Sequence, residues 1–85
     1  MLHLVATPDQ MAQLLTAGRR QAGFTQAEAA ARLGISQSRI SALETDASAL
    51  TLAQLLALCG IYRLQLHVLD KHQPVAAPPA PSVEW

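Results

Sequence analysis

The spacing of apolar residues along this chain is helical at first and changes to alternation near its end. Met11, Leu14, Leu15, Gly18 and Ala22 follow one another at helical spacing. Thr7 is a suitable N-cap for that helix, Pro8 fits its first position, and Gln10 stands at the capping-box spacing from Thr7. Gly23 stops it. A second helix opens at Thr25, again with a capping-box partner three residues on (Glu28), and ends at Gly34, where glycine tolerates a left-handed turn. Ser36 caps a third helix, Gln37 to about Thr45. Ala30 is small where the second and third helices would cross, and Leu33, Ile40 and Leu43 supply the apolar lock. After a polar loop from Asp46 to Leu50, Ser48 or Thr51 starts a last helix, TLAQLLALC, closed by Gly60, with Leu52, Leu55, Leu56 and Cys59 as its apolar face. The expected lengths are roughly 15, 8, 9 and 9 residues.

Beyond Gly60 the period falls to two. Tyr62, Leu64, Leu66 and Val68 alternate with Arg63, Gln65 and His67, the pattern of a half-buried strand over Tyr62 to Leu69. A lone strand leaves backbone groups unpaired, so it needs a partner. One choice is the start of the chain, Leu2 to Val5. The other is the same strand of a second copy, antiparallel across a two-fold axis. From His72 onward the sequence HQPVAAPPAPSVEW holds four prolines and no apolar period, so it is expected to be disordered. The expected division is residues 1–69 as one folded domain and 70–85 as a tail.

The two-helix segment TQAEAAARLGISQSRISALE carries the chemistry. Counted from Gln26 as position 1, alanine falls at 5, glycine at 9, isoleucine at 15 and leucine at 18. That is helix-turn-helix spacing, in which the second helix lies in the DNA major groove. Its leading and outward residues, Ser36, Gln37, Ser38, Arg39, Ser41 and Ala42, are the candidates for base contact. Glutamine can pair with adenine, arginine with guanine, and alanine can meet a thymine methyl. Thr25 and Gln26, at the opening of the preceding helix, together with Arg20 and Arg32, are the candidates for phosphate contact. A DNA reader gains from two-fold symmetry, which favours the second-copy partner for the strand formed by Tyr62, Leu64, Leu66 and Val68. Arg19 and Glu44, at opposite edges of the motif, suit a structural bridge better than a phosphate contact.

Charge modifies this picture modestly. Six basic residues balance six acidic ones, so the net charge gives no overall support for nucleic-acid binding. Four arginines (Arg19, Arg20, Arg32, Arg39) nevertheless lie in or just before the motif, against Glu28 and Glu44, and local charge sets phosphate attraction. A single cysteine excludes an intrachain disulfide, and Cys59 reads as a core residue. His3, His67 and His72 lack metal-ligand spacing, and the motif serines have no acid–base partner nearby, so neither a metal, a cofactor, a small-molecule substrate nor catalysis is expected. There is no apolar run of roughly 18 residues and no signal-like start, which leaves a cytoplasmic protein as the expectation and gives no membrane partner. A folded part this small often gains stability by dimerising.

GFTQAEAAARLGISQSRISALE resembles the helix-turn-helix of the lambda-repressor-like (Xre) regulators, over roughly Pro8 to Ile61. The resemblance implies phosphate contact at Gln26, base contact at Gln37, Ser38 and Ala42, and a structural Arg19–Glu44 pair. The following helix, the single strand LQLHVLD and a short tail ending in Glu-Trp are similar to HipB-type antitoxins. That likeness implies a dimeric repressor whose C-terminal strands pair between subunits, which binds a HipA-type serine/threonine kinase toxin and represses its own operon with it. Val83, Glu84 and Trp85 become candidates for contact with the toxin, since a buried aromatic can anchor an interface. The loop TDASAL departs from many relatives in lacking basic residues. The expected fold is thus mainly α: a four-helix lambda-repressor-like domain with one C-terminal β-strand pairing across a dimer. The alternative functions are a stand-alone Xre repressor, or a toxin-neutralising interaction module that binds DNA weakly.

Overall fold

Three threonines open three of the helices by the same device. In the computed structural model, which describes residues 2–71, these helices are α1 (Pro8–Gln21), α2 (Gln26–Leu33) and α4 (Leu52–Ile61). The hydroxyls of Thr7, Thr25 and Thr51 accept from the backbone N–H of Gln10, Glu28 and Gln54. Each of those side chains accepts in return from the threonine backbone N–H. Two of the donors that a helix start leaves over are thereby satisfied at each site. Helix α3 (Gln37–Thr45) has a simpler cap, the Ser36 hydroxyl accepting from Arg39 N–H. A single 3-10 turn, Ala47–Ala49, follows α3, opened by Asp46 accepting from Ser48 N–H at 2.9 Å.

The stops are as local as the starts. At the end of α1, Phe24 N–H reaches the Arg19 carbonyl and Gly23 N–H the Arg20 carbonyl, with Gly23 at φ +82°. Gly34 takes the same left-handed conformation after α2, at φ +80°. Glycine is favoured at both because a side chain there would crowd the following carbonyl.

Helix α4 ends otherwise than its sequence suggests. Gly60 lies inside the last turn, and the left-handed residue is Arg63, at φ 60°. Leu64 N–H bonds the Cys59 carbonyl (2.7 Å) and Arg63 N–H the Gly60 carbonyl (3.4 Å), the pairing that also closes α1. The cause is burial: Tyr62 is drawn into the core, so the helix persists until that ring is seated.

That core is formed by Leu15 of α1, Ala29 and Ala30 of α2, Ile40 of α3, and Leu58 and Tyr62 at the end of the domain. Leu15, Ile40 and Leu58 are sealed from solvent, each contributing about 1.5–3 kcal/mol by burial. The inward face of α4 is set by Leu58 and Cys59, with Leu55 half-buried, whereas Leu52 and Leu56 point outward and are 66% and 50% exposed. The expected face of Leu52, Leu55, Leu56 and Cys59 is therefore half right. A helix that is apolar all round offers no polar side to mark which face turns inward.

No β-strand is present among the described residues, so the expected strand over Tyr62 to Leu69 is not found in the single chain. Its first residues are absorbed otherwise: Tyr62 caps α4 and is buried, and Leu64 packs against Gly18. Residues 65–71 are exposed. A strand exists only through a ladder to a neighbour, and within one chain none is formed here. The tail expectation, and with it Val83, Glu84 and Trp85, falls outside the described residues.

Candidate nucleic-acid interface

Helix α3 is held by its buried residues and offers the rest. Ile40 and Leu43 are 1% and 3% exposed and point into the core, while Ser36, Gln37, Ser38, Ser41 and Ala42 are exposed. These five share the open side of the helix and its N-terminal end, the part that meets base edges in a major groove. Ser36 and Ser38 are linked hydroxyl to hydroxyl at 3.2 Å. Gln37 and Ala42 extend the same surface.

Arg39 differs from its neighbours. It is half-buried, and its Nη2 donates to the Ala49 carbonyl at 3.2 Å, tying α3 to the 3-10 turn. To read a base it would have to leave that carbonyl.

The start of α2 lies against the end of α3 through one carboxylate. Glu44 receives Arg19 Nε at 2.6 Å and Arg19 Nη2 at 3.1 Å, a two-pronged pair with both side chains about one-tenth exposed. The same Oε1 accepts from Gln26 Nε2 at 3.1 Å. Arg19 Nη1 donates to the Phe24 carbonyl at 2.9 Å, in the turn between α1 and α2. Burial pushes the Glu44 carboxyl up, but the hydrogen bonds from Arg19 and Gln26 and the Arg19 charge outweigh it and hold the group below its ordinary range. Arg19 is thus occupied in tying α1 to α3 and to the turn that precedes α2. Gln26, offered as a phosphate contact, is oriented by Glu44, with its second amide hydrogen left over.

The remaining basic candidates are placed differently from one another. The Arg32 guanidinium lies 4.6 Å from the centre of the Phe24 ring, a cation–π stack. Arg20 is exposed at the last turn of α1. The Thr25 hydroxyl serves as the cap acceptor of α2, and its side chain also bonds the Glu28 carboxylate. With Arg19 neutralised by Glu44, three arginines face Glu28 alone over the motif, a net positive charge of two. The Gln26–Glu44 link was not apparent in the sequence, because 18 residues separate the two and no spacing rule joins them.

Among the described residues there is no group of three or more His, Cys, Asp or Glu side chains able to hold a metal. Among these residues, too, no helix is long and apolar enough to cross a membrane. Cys59 is buried, and burial raises its thiol pKa.

This arrangement, a capped α2 set against an open-faced α3, is the helix-turn-helix, and the family model described as Helix-turn-helix (HTH_3) matches residues 15–69. The chain belongs to the lambda-repressor-like (Xre) helix-turn-helix family, whose members bind DNA and are not enzymes. Among solved structures it is similar to HipB. A HipB variant in complex with an O2 20mer shares 30% identity at a TM-score of 0.73, covering 84% of this chain and 99% of that one. HipB in a HipA-HipB-O2-O3 complex shares 28% identity at a TM-score of 0.72, covering 82% and 99%. HipB in a complex with an O4 20mer gives the same identity, TM-score and coverage. No curated protein matches the chain by sequence.

Proposed function

We propose that this protein is a cytoplasmic dimeric repressor that reads a pseudo-palindromic operator and acts as the antitoxin of a type II toxin–antitoxin pair, binding a HipA-like serine/threonine kinase and repressing its own operon. The observation that carries the reading is the match over nearly the full length of HipB as it occurs in the HipA-HipB-O2-O3 complex. It is supported by the exposed polar side of α3. Gln37, Ser38 and Ala42, with Ser36 and Ser41 beside them, contact bases, and Arg39 joins them on exchanging the Ala49 carbonyl for a guanine. Gln26, Thr25, Arg20 and Arg32 contact the phosphates that fix the register. The dimer forms by antiparallel pairing of residues 64–69 across a two-fold axis, and Val83, Glu84 and Trp85 dock on the toxin.

Gel shift on the chain's own promoter tests the DNA reading. Gln37→Ala together with Arg39→Ala should weaken binding by about 2–5 kcal/mol at fixed salt, from the usual worth of base contacts. Unchanged binding would remove α3 as the reader. Co-purification with the product of an adjacent kinase-like gene tests the antitoxin reading, which fails where no such gene exists. The pairing of residues 64–69 is tested by Leu66→Asp with Val68→Asp. Both positions are exposed in the single chain, so the fold should survive while like charges meet across the two-fold.

The absence of basic side chains from Asp46 to Thr51 favours, as a second reading, a toxin-neutralising module with weak DNA affinity. Promoter binding undetectable at low salt would decide for it.

A further inference from the structure

Two strands alone make a marginal ribbon in water, and stability needs further strands or a helix to cover them. Residues 2–5 supply a candidate. They border the same open groove as residues 64–69, a space of about 1400 Å³ to which α1 contributes Met11, Leu14 and Leu15. Both segments leave apolar side chains in solvent: Leu2 is 53% exposed, Leu4 88%, Leu66 46% and Val68 87%. These are alternate residues along each segment, the period of a strand with one apolar side. No ladder joins the two segments within the chain.

Charge selects the occupant. Residues 2–5 and 64–69 contain no Asp, Glu, Lys or Arg. With Arg63 at its border as the one charged residue of its lining, the groove offers little to distinguish a charged partner, and its two uncharged segments are complementary to themselves, as a two-fold interface requires. Resting on the dimer proposed above, we infer that residues 64–69 of a second copy enter this groove and lie between residues 2–5 and residues 64–69 of the first. The two-fold axis then makes the relation reciprocal. A four-stranded sheet results, with the two 64–69 segments at its centre and one 2–5 segment at each edge, its inner side resting on α1 of both copies. The N-terminal segment is thus part of the dimer interface and shields an edge that two strands alone would leave open.

Sedimentation equilibrium on the full chain tests this. Leu2→Ser with Leu4→Ser should leave the helical circular dichroism unchanged, since neither side chain belongs to the core, and should weaken dimerisation on the order of tenfold or more through lost apolar burial. An unchanged dimer constant overturns the inference. The Leu66→Asp, Val68→Asp variant separates the two levels of the reading. If it dissociates while the Leu2, Leu4 variant dimerises normally, strand pairing stands and the N-terminal contribution is wrong. If both dimerise normally, the strand-paired dimer itself is wrong. Amide exchange gives an independent readout: His3, Leu4 and Val5 should be protected only at concentrations where the dimer forms. Protection that persists on dilution to monomer means that residues 2–5 pair with their own chain, and a chain monomeric at every concentration leaves the groove to another partner; either result overturns the inference.

Discussion

Gln26 Nε2 and Arg19 Nη2 both donate to Glu44 Oε1, each at 3.1 Å, so one carboxylate oxygen serves a side chain of the proposed DNA surface and a buried one together. Structural support and the proposed operator contact are coupled at this atom, and substitutions can part them. Glu44→Ala leaves the Arg19 guanidinium with only the Phe24 carbonyl and should cost about 3 kcal/mol, because removing one member of a buried pair strands the other. The paired replacement Arg19→Met with Glu44→Leu should instead be nearly neutral, within about 1 kcal/mol in urea unfolding. It should still weaken promoter binding, since Gln26 has lost what orients it. Full binding by the double variant would mean that the Gln26 orientation is immaterial.

Acid should destabilise the domain through the same group. The Glu44 carboxyl is held below its ordinary range in the folded state, so its contribution is complete above the unfolded value of about 4.3 and is lost as pH falls through the lower, folded value. Glu28 and Asp46 are lowered as well, by hydrogen bonds from Thr25 and from Ser48, and act with the same sign. The urea midpoint should be flat from about pH 7 to pH 5 and should fall below about pH 4. In Glu44→Gln the fall should be shallower. A midpoint rising on acidification would contradict the sign.

Thr25 combines a capping role with a place on the proposed DNA surface, and Thr25→Asp should separate them. Aspartate caps a helix as well as threonine does, and its charge suits the helix start. Stability should change by no more than about 0.5 kcal/mol, while promoter binding falls because a carboxylate would face a phosphate. If binding is retained, Thr25 is a cap and nothing more.

Arg63 occupies a conformation that suits glycine. Arg63→Gly should raise stability by about 1 kcal/mol, the usual cost of a left-handed backbone for a residue with a side chain. Thermal unfolding of the two proteins side by side checks this. A loss of stability would show that the Arg63 side chain contributes more than its backbone costs.

The parts of the fold that could be read in the sequence are those fixed by neighbours in the chain. The Thr7 and Thr25 caps, the glycine stops at 23 and 34 and the bounds of α3 each depend on residues within a turn, so local spacing is enough to place them, whereas the start of α4 stays open between Ser48 and Thr51. Helix α4 resisted for the opposite reason. With no charged residue from Leu50 to Tyr62, nothing in the sequence marks which side turns inward, and contact with the rest of the core chooses Leu58 over Leu52 and Leu56. At the interface, the sequence suggests which residue types can meet DNA but not what holds them beforehand. The stack of Arg32 on Phe24, the Arg39 link to Ala49 and the Gln26 link to Glu44 depend on how separate helices come together.

The hydrogen bonds that open and close each helix also bear on how the molecule assembles. Each of them spans at most five residues, so the helix ends do not wait for distant parts of the chain to meet. Domains built from such short-range contacts fold in microseconds to milliseconds. Meeting a second copy is a different matter, since its rate depends on concentration. In the dimer proposed above, the slow event after synthesis is the encounter of two finished domains, so the active form grows more steeply than the number of chains and reports the abundance of the protein.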